Sequence, residues 1–214
     1  MADTSRDTCP TPADPTAATL ACYDVIATQY AARSAAAGPL TSLVWAMVKS
    51  AGLLTPGTRL LDAGCGPGLD VAALAARGIL ATGVEPSAGM LAQATLVAPG
   101  LVHPGSLNDL GVPAASFDVV VCAAALHHLP EGAQQGAVGQ LARAARPGGA
   151  VAVSTERGQG GHWEETPWGG RRYYQPATEG ELVAMFEAAG LRVAQTMLKR
   201  THRDWVAILG YRER

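Results

Sequence analysis

The chain has 214 residues, with 18 acidic and 16 basic side chains, which gives a formal net charge of −2. Apolar residues make up 48% of it and charged residues 16%, which excludes disorder over most of the chain. The length is that of one ordinary α/β domain. The near-neutral charge disfavours a protein that holds a long nucleic-acid backbone, because such proteins are usually basic.

The N-terminal residues and the cysteines indicate where such a protein works. The first residues are polar and acidic, and no apolar run of about 20 residues occurs, so we expect neither a secretory signal nor a membrane span. The four cysteines are scattered, without a Cys-x-x-Cys pair or a histidine at ligand spacing. We therefore expect a cytoplasmic protein with free thiols and no metal site.

Taken in chain order, the sequence predicts a disordered tail over residues 1–15 and a single domain over 16–214. Apolar residues at helical spacing predict helices over 16–33 and 39–52. From 58 to 155, short apolar strands alternate with Ala-rich helices. This alternation predicts a doubly wound, parallel sheet with helices on both faces, whose loops line one rim where ligands bind.

Beyond residue 155 the alternation stops. The stretch 156–177 contains Gly, Trp and Arg and is too long for a simple connection, so we interpret it as a lid or substrate loop. A capping-box pattern starting at Thr178 predicts a helix. Residues 191–197 and 204–209 then predict two antiparallel strands at the end of the sheet.

The strongest motif is a glycine-rich loop between a predicted strand and a predicted helix. Asp62 ends the strand, and Gly64, Gly66 and Gly68 allow a tight turn that approaches a ligand. The dinucleotide fingerprint is Gly-x-Gly-x-x-Gly, but Leu69 stands where its last glycine is required. The loop therefore disfavours a dinucleotide.

Carboxylates around this loop define its ligand further. Asp62 and Asp70 flank the loop and would repel a pyrophosphate while attracting a cation. Glu85 ends the next predicted strand, where a carboxylate accepts hydrogen bonds from ribose hydroxyls. The predicted ligand has a ribose, no phosphate and a positive end.

Several motifs in this order resemble the class I S-adenosylmethionine (SAM)-dependent methyltransferases, and most closely the small "methyltransferase type 11" enzymes. They are Asp62-Ala-Gly-Cys-Gly-Pro-Gly, Glu85-Pro-Ser, Phe117-Asp-Val-Val-Val-Cys with Leu126-His-His-Leu, and Arg146-Pro-Gly-Gly. The resemblance extends from about residue 20 to the C-terminus. It implies a Rossmann-like, seven-stranded sheet that is mostly parallel with an antiparallel last strand.

The resemblance implies SAM as cofactor and S-adenosylhomocysteine as product. It assigns the cofactor's ammonium to Asp62 and the backbone carbonyl of Ala123, and its ribose to Glu85. Ser106 stands where the family usually has Asp, which leaves the adenine contact open. The complete set of implied cofactor residues is Tyr23, Tyr30, Asp62, Gly64, Cys65, Gly66, Gly68, Glu85, Pro86, Ser87, Ser106, Leu107 and Ala123. The spacing of the two tyrosines fits a core-facing helical stripe equally well.

His127 and His128 follow the fourth predicted strand at the rim of the sheet. A histidine near the transferred methyl group acts as a general base or orients the acceptor. The alternative is a capping or packing role for either ring.

The substrate side is predicted from the 156–177 stretch. Aromatic and Arg side chains stack on a planar acceptor or pair with an anionic one. The candidates are His162, Trp163, Arg171, Arg172 and Tyr173. The alternative is that the tyrosines of this stretch only anchor the loop on the sheet.

The leading hypothesis is a SAM-dependent methyltransferase that moves a methyl group by in-line displacement to oxygen, nitrogen or carbon of a small-molecule acceptor. A tRNA wobble-uridine carboxymethyl methyltransferase is the first alternative, because residues 171–174 and 179–182 also resemble that group. Residues 157–214 hold 9 basic and 7 acidic side chains. This surplus of positive charge is small for a surface that binds tRNA. A non-catalytic nucleotide-binding protein is the second alternative. Either a monomer or a homodimer fits the sequence.

Overall fold

The computed structural model describes residues 14–214. Most of the predicted tail, residues 1–13, lies outside this range, as does Cys9. Pro15 is the first residue of a helix, and the Asp14 carboxylate caps it by accepting the Thr16 and Ala17 N–H groups at 2.9 and 3.0 Å. Pro suits this position because the first helical turn leaves its N–H groups unpaired.

Helices and strands alternate through most of the described chain. The helices are α1 (Pro15–Ala37), α2 (Leu43–Ser50), α3 (Leu69–Ala75), α4 (Ala88–Val97), α5 (Glu131–Ala144) and α6 (Glu179–Ala188), with a short 3-10 helix at Leu126–His128. The strands are β1 (Arg59–Ala63), β2 (Leu80–Glu85), β3 (Val102–Pro104), β4 (Phe117–Ala123), β5 (Ala145–Glu156), β6 (His162–Glu165), β7 (Arg171–Tyr174), β8 (Leu191–Arg200) and β9 (Asp204–Arg212). Within residues 14–214, no helix combines the length and the hydropathy that crossing a membrane requires.

Seven strands form one sheet in the order β3-β2-β1-β4-β5-β9-β8. The first five are parallel, and β9 is antiparallel to both of its neighbours. Helices cover both faces of this sheet, and β4 is almost continuously buried, as a strand packed on two sides must be. The predicted Rossmann-like sheet with an antiparallel strand near its end is confirmed.

The second predicted helix begins later than the sequence pattern indicated. The prediction places Pro39 in its first turn, but α2 starts at Leu43. Leu40 has a positive φ of 57°, and its N–H donates to the Asp70 carboxylate at 2.6 Å. The Trp45 indole N–H donates to the other oxygen of Asp70, also at 2.6 Å. Asp70 therefore ties the α1–α2 connection to α3.

The predicted lid stretch contains a β-hairpin instead of an irregular loop. Strands β6 and β7 pair antiparallel from His162 opposite Tyr174 to Glu165 opposite Arg171. Gly169 and Gly170 both have positive φ in the turn between them. The hairpin packs on α1, where the Tyr173 N–H donates to Thr19 Oγ1 at 2.9 Å. Hydrogen bonds across the hairpin and to α1 give this stretch its order.

The order of the strands in the sheet indicates where a ligand binds. Strand order reverses between β1 and β4, which lie side by side at the centre of the sheet. In open α/β sheets, ligands bind at such a switch point, beyond the carboxyl ends of the strands. The glycine-rich loop, Glu85 and the two adjacent histidines all follow strands that end at this rim.

Candidate active site

Two adjoining cavities of about 300 and 270 Å³ open at the carboxyl ends of β1, β2 and β4. Both are lined by Tyr30, Gly64, Gly66 and Ala123. The larger cavity is also lined by these other predicted residues: Tyr23, Glu85, Pro86, Ser106, Leu107 and His128. The smaller one adds Asp62 and Cys65. Sequence positions up to 105 residues apart therefore meet in one continuous site.

The glycine-rich loop lies tightly against its neighbours. The Gly64 and Cys65 N–H groups both donate to the Val84 carbonyl, at 2.8 and 3.1 Å. Gly64 has φ of 79°, and a Cβ built there would lie 2.6 Å from the Ala125 Cβ. Only glycine combines that backbone conformation with such a close approach.

Glu85 faces the larger cavity with both of its oxygens already oriented. Oε2 accepts the Gly66 N–H and Oε1 accepts the Ser87 N–H, each at 2.9 Å. Burial raises the pKa of this carboxyl, and the two N–H groups oppose that rise. A carboxylate oxygen has more than one acceptor site, so each can still bind a hydroxyl. This geometry fits the ribose of SAM.

Asp62 is 2% exposed and lines the smaller cavity. Its Oδ1 has no hydrogen-bond partner among residues 14–214. Burial, followed by the charges of Asp70 and Glu85, raises the pKa of the Asp62 carboxyl well above its usual value. A buried carboxylate without a partner is unfavourable, and a cationic group would relieve this. The ammonium of SAM fits that requirement.

Three further predicted cofactor residues, Gly68, Ser87 and Cys65, have structural roles or contacts within the protein. Gly68 caps α3 with φ of 77° and lines neither cavity. Ser87 caps α4, accepting the Met90 N–H at 3.1 Å and donating to Asp24 Oδ1 at 2.6 Å. Burial and nearby carboxylates raise the pKa of the Cys65 thiol, which stays neutral.

Tyr23 and His128 meet in the wall of the larger cavity. The Tyr23 hydroxyl lies 2.8 Å from His128 Nε2, and His128 Nδ1 lies 2.8 Å from the Tyr173 carbonyl oxygen. Arg172 Nη1 donates to the Tyr23 hydroxyl at 2.9 Å. Burial first, then the charge of Arg172, lowers the pKa of His128 to about 4, so the ring is neutral near pH 7.

His127 is placed differently from His128. It is 2% exposed and lines neither cavity. Its Nδ1 accepts the Glu156 N–H at 3.2 Å, and its ring stacks on Tyr174 at 5.0 Å. Burial and neighbouring positive charges lower its pKa well below the usual value. These contacts correspond to the packing alternative for this histidine.

The predicted substrate residues stand behind the cavity wall, and none of the five lines either cavity. Arg172 contacts the cavity-lining Tyr23 through its hydroxyl, and the backbone carbonyl of Tyr173 contacts the cavity-lining His128. The Tyr173 hydroxyl donates to Gln175 at 2.8 Å. Arg171 lies over the Trp163 ring at 5.1 Å, and His162 stacks on Tyr174.

In the described part of the chain, Glu156, His162 and Glu164 group closely enough to resemble metal ligands. Arg203 donates to Glu156 at 2.8 Å and also to Glu164. Its guanidinium therefore already supplies the positive charge that these carboxylates require.

Sequence reasoning missed part of the wall of the larger cavity. The missed residues are Thr16, Thr19, Leu20, Met90, Asn108, Ala124, Ala125 and Leu129. Those on α1 share the three-to-four-residue spacing of one helical face with Tyr23, so that pattern was available in the sequence. Ala124 has φ of 55°, a strained value for a non-glycine residue that its neighbours do not predict.

A comparison with known proteins finds methyltransferases among the relatives of this chain. The family model described as "Methyltransferase domain" matches residues 61–153. A ubiquinone biosynthesis O-methyltransferase of Aeromonas salmonicida is 32% identical over 170 residues, which are 71% of this chain and 69% of that protein. One from Alkalilimnicola ehrlichii is 38% identical over 107 residues, or 46% of this chain and 42% of the relative. The chain spans less than half the length of the first curated relatives it matches.

Among solved structures, the chain resembles 1,6-didemethyltoxoflavin-N1-methyltransferase of Burkholderia thailandensis, which was crystallised with 1,6-didemethyltoxoflavin and S-adenosylhomocysteine. The TM-score is 0.69 at 19% identity, and the match covers 96% of this chain and 92% of that chain. At this identity the match shows the fold alone.

Proposed function

The chain belongs to the SAM-dependent methyltransferase family, and we propose that it transfers the methyl group of SAM to a hydroxyl oxygen of a small, largely apolar acceptor. One observation carries the proposal. The larger cavity contains Glu85 and is otherwise lined mostly by apolar surface, with the polar side chains of Tyr23 and His128 in its wall. Small-molecule sites have this composition, with apolar walls and a few placed polar groups.

The site divides into two ends. We call Asp62, Gly64, Gly66 and Glu85 the cofactor end, because they fit the ammonium and ribose of SAM. When bound, SAM supplies an electrophilic methyl group on a sulfonium for in-line displacement. The chain's own contribution is to hold the reactants in line and dry, and such positioning is worth about 7–11 kcal/mol of the barrier.

We call Tyr23, His128 and the apolar residues Leu20, Ala125 and Leu129 the acceptor end; α1 forms part of its wall, and the hairpin packs on α1. Apolar walls favour an aromatic or aliphatic acceptor of modest size. We propose that the β6–β7 hairpin acts as the lid. Its hydrogen bonds to α1 link closure to the correct placement of Tyr23.

An oxygen acceptor is supported by two facts. The relatives named above are O-methyltransferases. A hydroxyl must also lose its proton when it is methylated, and His128 is a neutral ring with a basic nitrogen directed toward the cavity through Tyr23.

Surface charge supports a small acceptor over tRNA. Several arginines of the C-terminal part are paired with acids, which reduces the charge available to phosphates. Arg157 lies 3.3 Å from the Asp204 carboxylate, and Arg203 lies 2.8 Å from Glu156. A cavity of about 300 Å³ with mostly apolar walls suits an acceptor small enough to fit inside it.

The test is methyl transfer from methyl-labelled SAM to a panel of phenols, aliphatic alcohols, amines and carboxylates, with tRNA in parallel. We expect a methyl ether from at least one phenol or alcohol. Incorporation into tRNA alone, or into nitrogen alone, contradicts the proposal. Glu85→Ala, with weakened cofactor binding, is the low-activity reference, and substitution of the exposed Glu187 by Ala is the matched control.

A further inference from the structure

Resting on the proposed function, we propose that Tyr23 is the residue that touches the acceptor hydroxyl and passes its proton to His128, with strand β7 setting the direction of transfer. Tyr23 is then a catalytic residue, and Arg172 is a positioning residue. This assignment differs from the cofactor role that the sequence resemblance implies for Tyr23.

An unbroken series of hydrogen bonds joins Arg172, Tyr23, His128 and Tyr173. Arg172 Nη1 lies 2.9 Å from the Tyr23 hydroxyl, which lies 2.8 Å from His128 Nε2. His128 Nδ1 lies 2.8 Å from the Tyr173 carbonyl oxygen. The two ends of this hydrogen-bond series, Arg172 and Tyr173, are adjacent residues of β7.

The two ends determine where each proton lies. Arginine can only donate and a carbonyl oxygen can only accept. The Tyr23 oxygen therefore accepts from Arg172, and His128 Nδ1 carries the proton that goes to the Tyr173 carbonyl. Nε2 is left as the acceptor for the Tyr23 hydroxyl proton. One neutral tautomer of His128 satisfies every partner.

The same geometry separates the acceptor from His128. The lone pair on Nε2 is occupied by the Tyr23 hydroxyl, so an acceptor reaches it only through Tyr23. Tyr23 lines the cavity, and its oxygen keeps one further lone pair for a hydroxyl donor. An edge-on contact with Tyr30, with ring centroids 5.6 Å apart, holds the phenol ring in place.

The proton movement balances. The bond from the sulfonium sulfur to the methyl carbon breaks as the bond from the acceptor oxygen to that carbon forms. The acceptor's proton passes to the Tyr23 oxygen while the Tyr23 proton passes to His128 Nε2. The positive charge moves from sulfur to the imidazolium, and no free phenolate accumulates. Solvent removes the proton after the products leave.

Charged and titratable groups surround His128 from several elements. Positive charges of Arg172 and Arg203 disfavour an imidazolium, whereas the Glu164 carboxylate and the Tyr173 carbonyl favour it. The groups facing this ring are Tyr23 from α1, His127 beside it, Glu164 from β6, Arg172 and Tyr174 from β7, and Arg203 before β9.

The experiment uses two classes of acceptor that wild type methylates on oxygen: a phenol protonated at neutral pH and a nitrophenol already ionised there. We expect Tyr23→Phe and His128→Gln each to lower kcat on the protonated phenol by about 100- to 10,000-fold. On the ionised nitrophenol they should change kcat by less than about 10-fold, since no proton must leave. Tyr211→Phe, on β9, is the matched control.

Three further readouts separate a relay from a structural role. Affinity for S-adenosylhomocysteine should stay within about threefold in each variant, which also shows that the variant folds. The double variant should lose no more than the worse single one, because the two groups act as a unit. Arg172→Met should lower kcat on the protonated phenol with KM unchanged, and Arg172→Lys should restore part of it.

The outcomes are distinct. Full activity of Tyr23→Phe on the protonated phenol, or equal losses on both acceptors, overturns the relay and leaves the O-methyltransferase proposal standing. If the double variant loses as much kcat as the product of the two single losses, the relay is also overturned. Failure of wild type to methylate any oxygen overturns the proposed function itself.

Discussion

At the cofactor end, Gly66 and Glu85 share a hydrogen bond across 19 positions of the chain, whereas at the acceptor end Tyr23 and His128 meet across 105. Arg172 and Tyr23 are 149 positions apart. The cofactor end is thus built from consecutive strand–turn–helix units, and the acceptor end from three distant segments. We infer that the two ends respond separately to mutation.

Apart from the kcat losses expected at Tyr23 and His128, the largest expected effect tests the cofactor end. Glu85→Ala should weaken binding of S-adenosylhomocysteine by about 1.5–3 kcal/mol, roughly 10- to 150-fold, because hydrogen bonds to a charged group are lost. Isothermal calorimetry measures this. Glu85→Gln keeps the shape and part of the hydrogen bonding, so its loss should be smaller. Unchanged affinity in both variants contradicts the ribose assignment.

A smaller effect tests the acceptor end. Thr19→Val removes the hydroxyl oxygen that accepts the Tyr173 N–H between α1 and β7. We expect the acceptor KM to rise by about 2- to 12-fold, which corresponds to the loss of about 0.5–1.5 kcal/mol of binding free energy. The affinity for the cofactor should stay unchanged. Steady-state kinetics and calorimetry measure the two quantities, and Thr28→Val on the exposed face of α1 is the control. Equal losses of acceptor and cofactor affinity would show that the two ends are not independent.

The smallest effect concerns pH. Burial and positive neighbours lower the pKa of His128 from 6.5 to about 4. Between these pH values the unfolded chain binds a proton that the folded chain does not, so the free energy of unfolding decreases as pH falls from 6.5 towards 4. Between pH 7 and pH 6 the contribution of His128 to this decrease should be about 0.7 kcal/mol.

Denaturant titrations at several pH values measure this slope, and His128→Gln should flatten it. The matched control is the same substitution at the exposed His202, His202→Gln. A slope that is identical in wild type and His128→Gln contradicts the neutral, buried state of this ring. His127, whose pKa is lowered in the same direction, adds to this slope, whereas the raised pKa of the Asp62 carboxyl opposes it.

The fold followed closely from sequence patterns because most of them are local. Alternating strands and helices predict a parallel sheet, and β4 shows the expected buried run. The start of α2 was misplaced because Leu40 is held by Asp70, 30 positions away. The sequence predicts a loop where the hairpin at 162–174 lies, because its short strands carry mixed polar and aromatic residues. The order of the hairpin depends on strand pairing and on contacts with α1.

By itself, the sequence determined the glycine-rich loop, the carboxylates beside it and the Rossmann-like sheet that positions them. Each of these depends on residues within one or two successive strand–turn–helix units, whose geometry the backbone rules dictate. Only the tertiary structure decided the partners of His128, the orientation of its proton and the use of Arg172 behind Tyr23 instead of in the cavity. No local preference determines a contact across 105 or 149 positions, because such contacts form only when the whole sheet and its covering segments pack together.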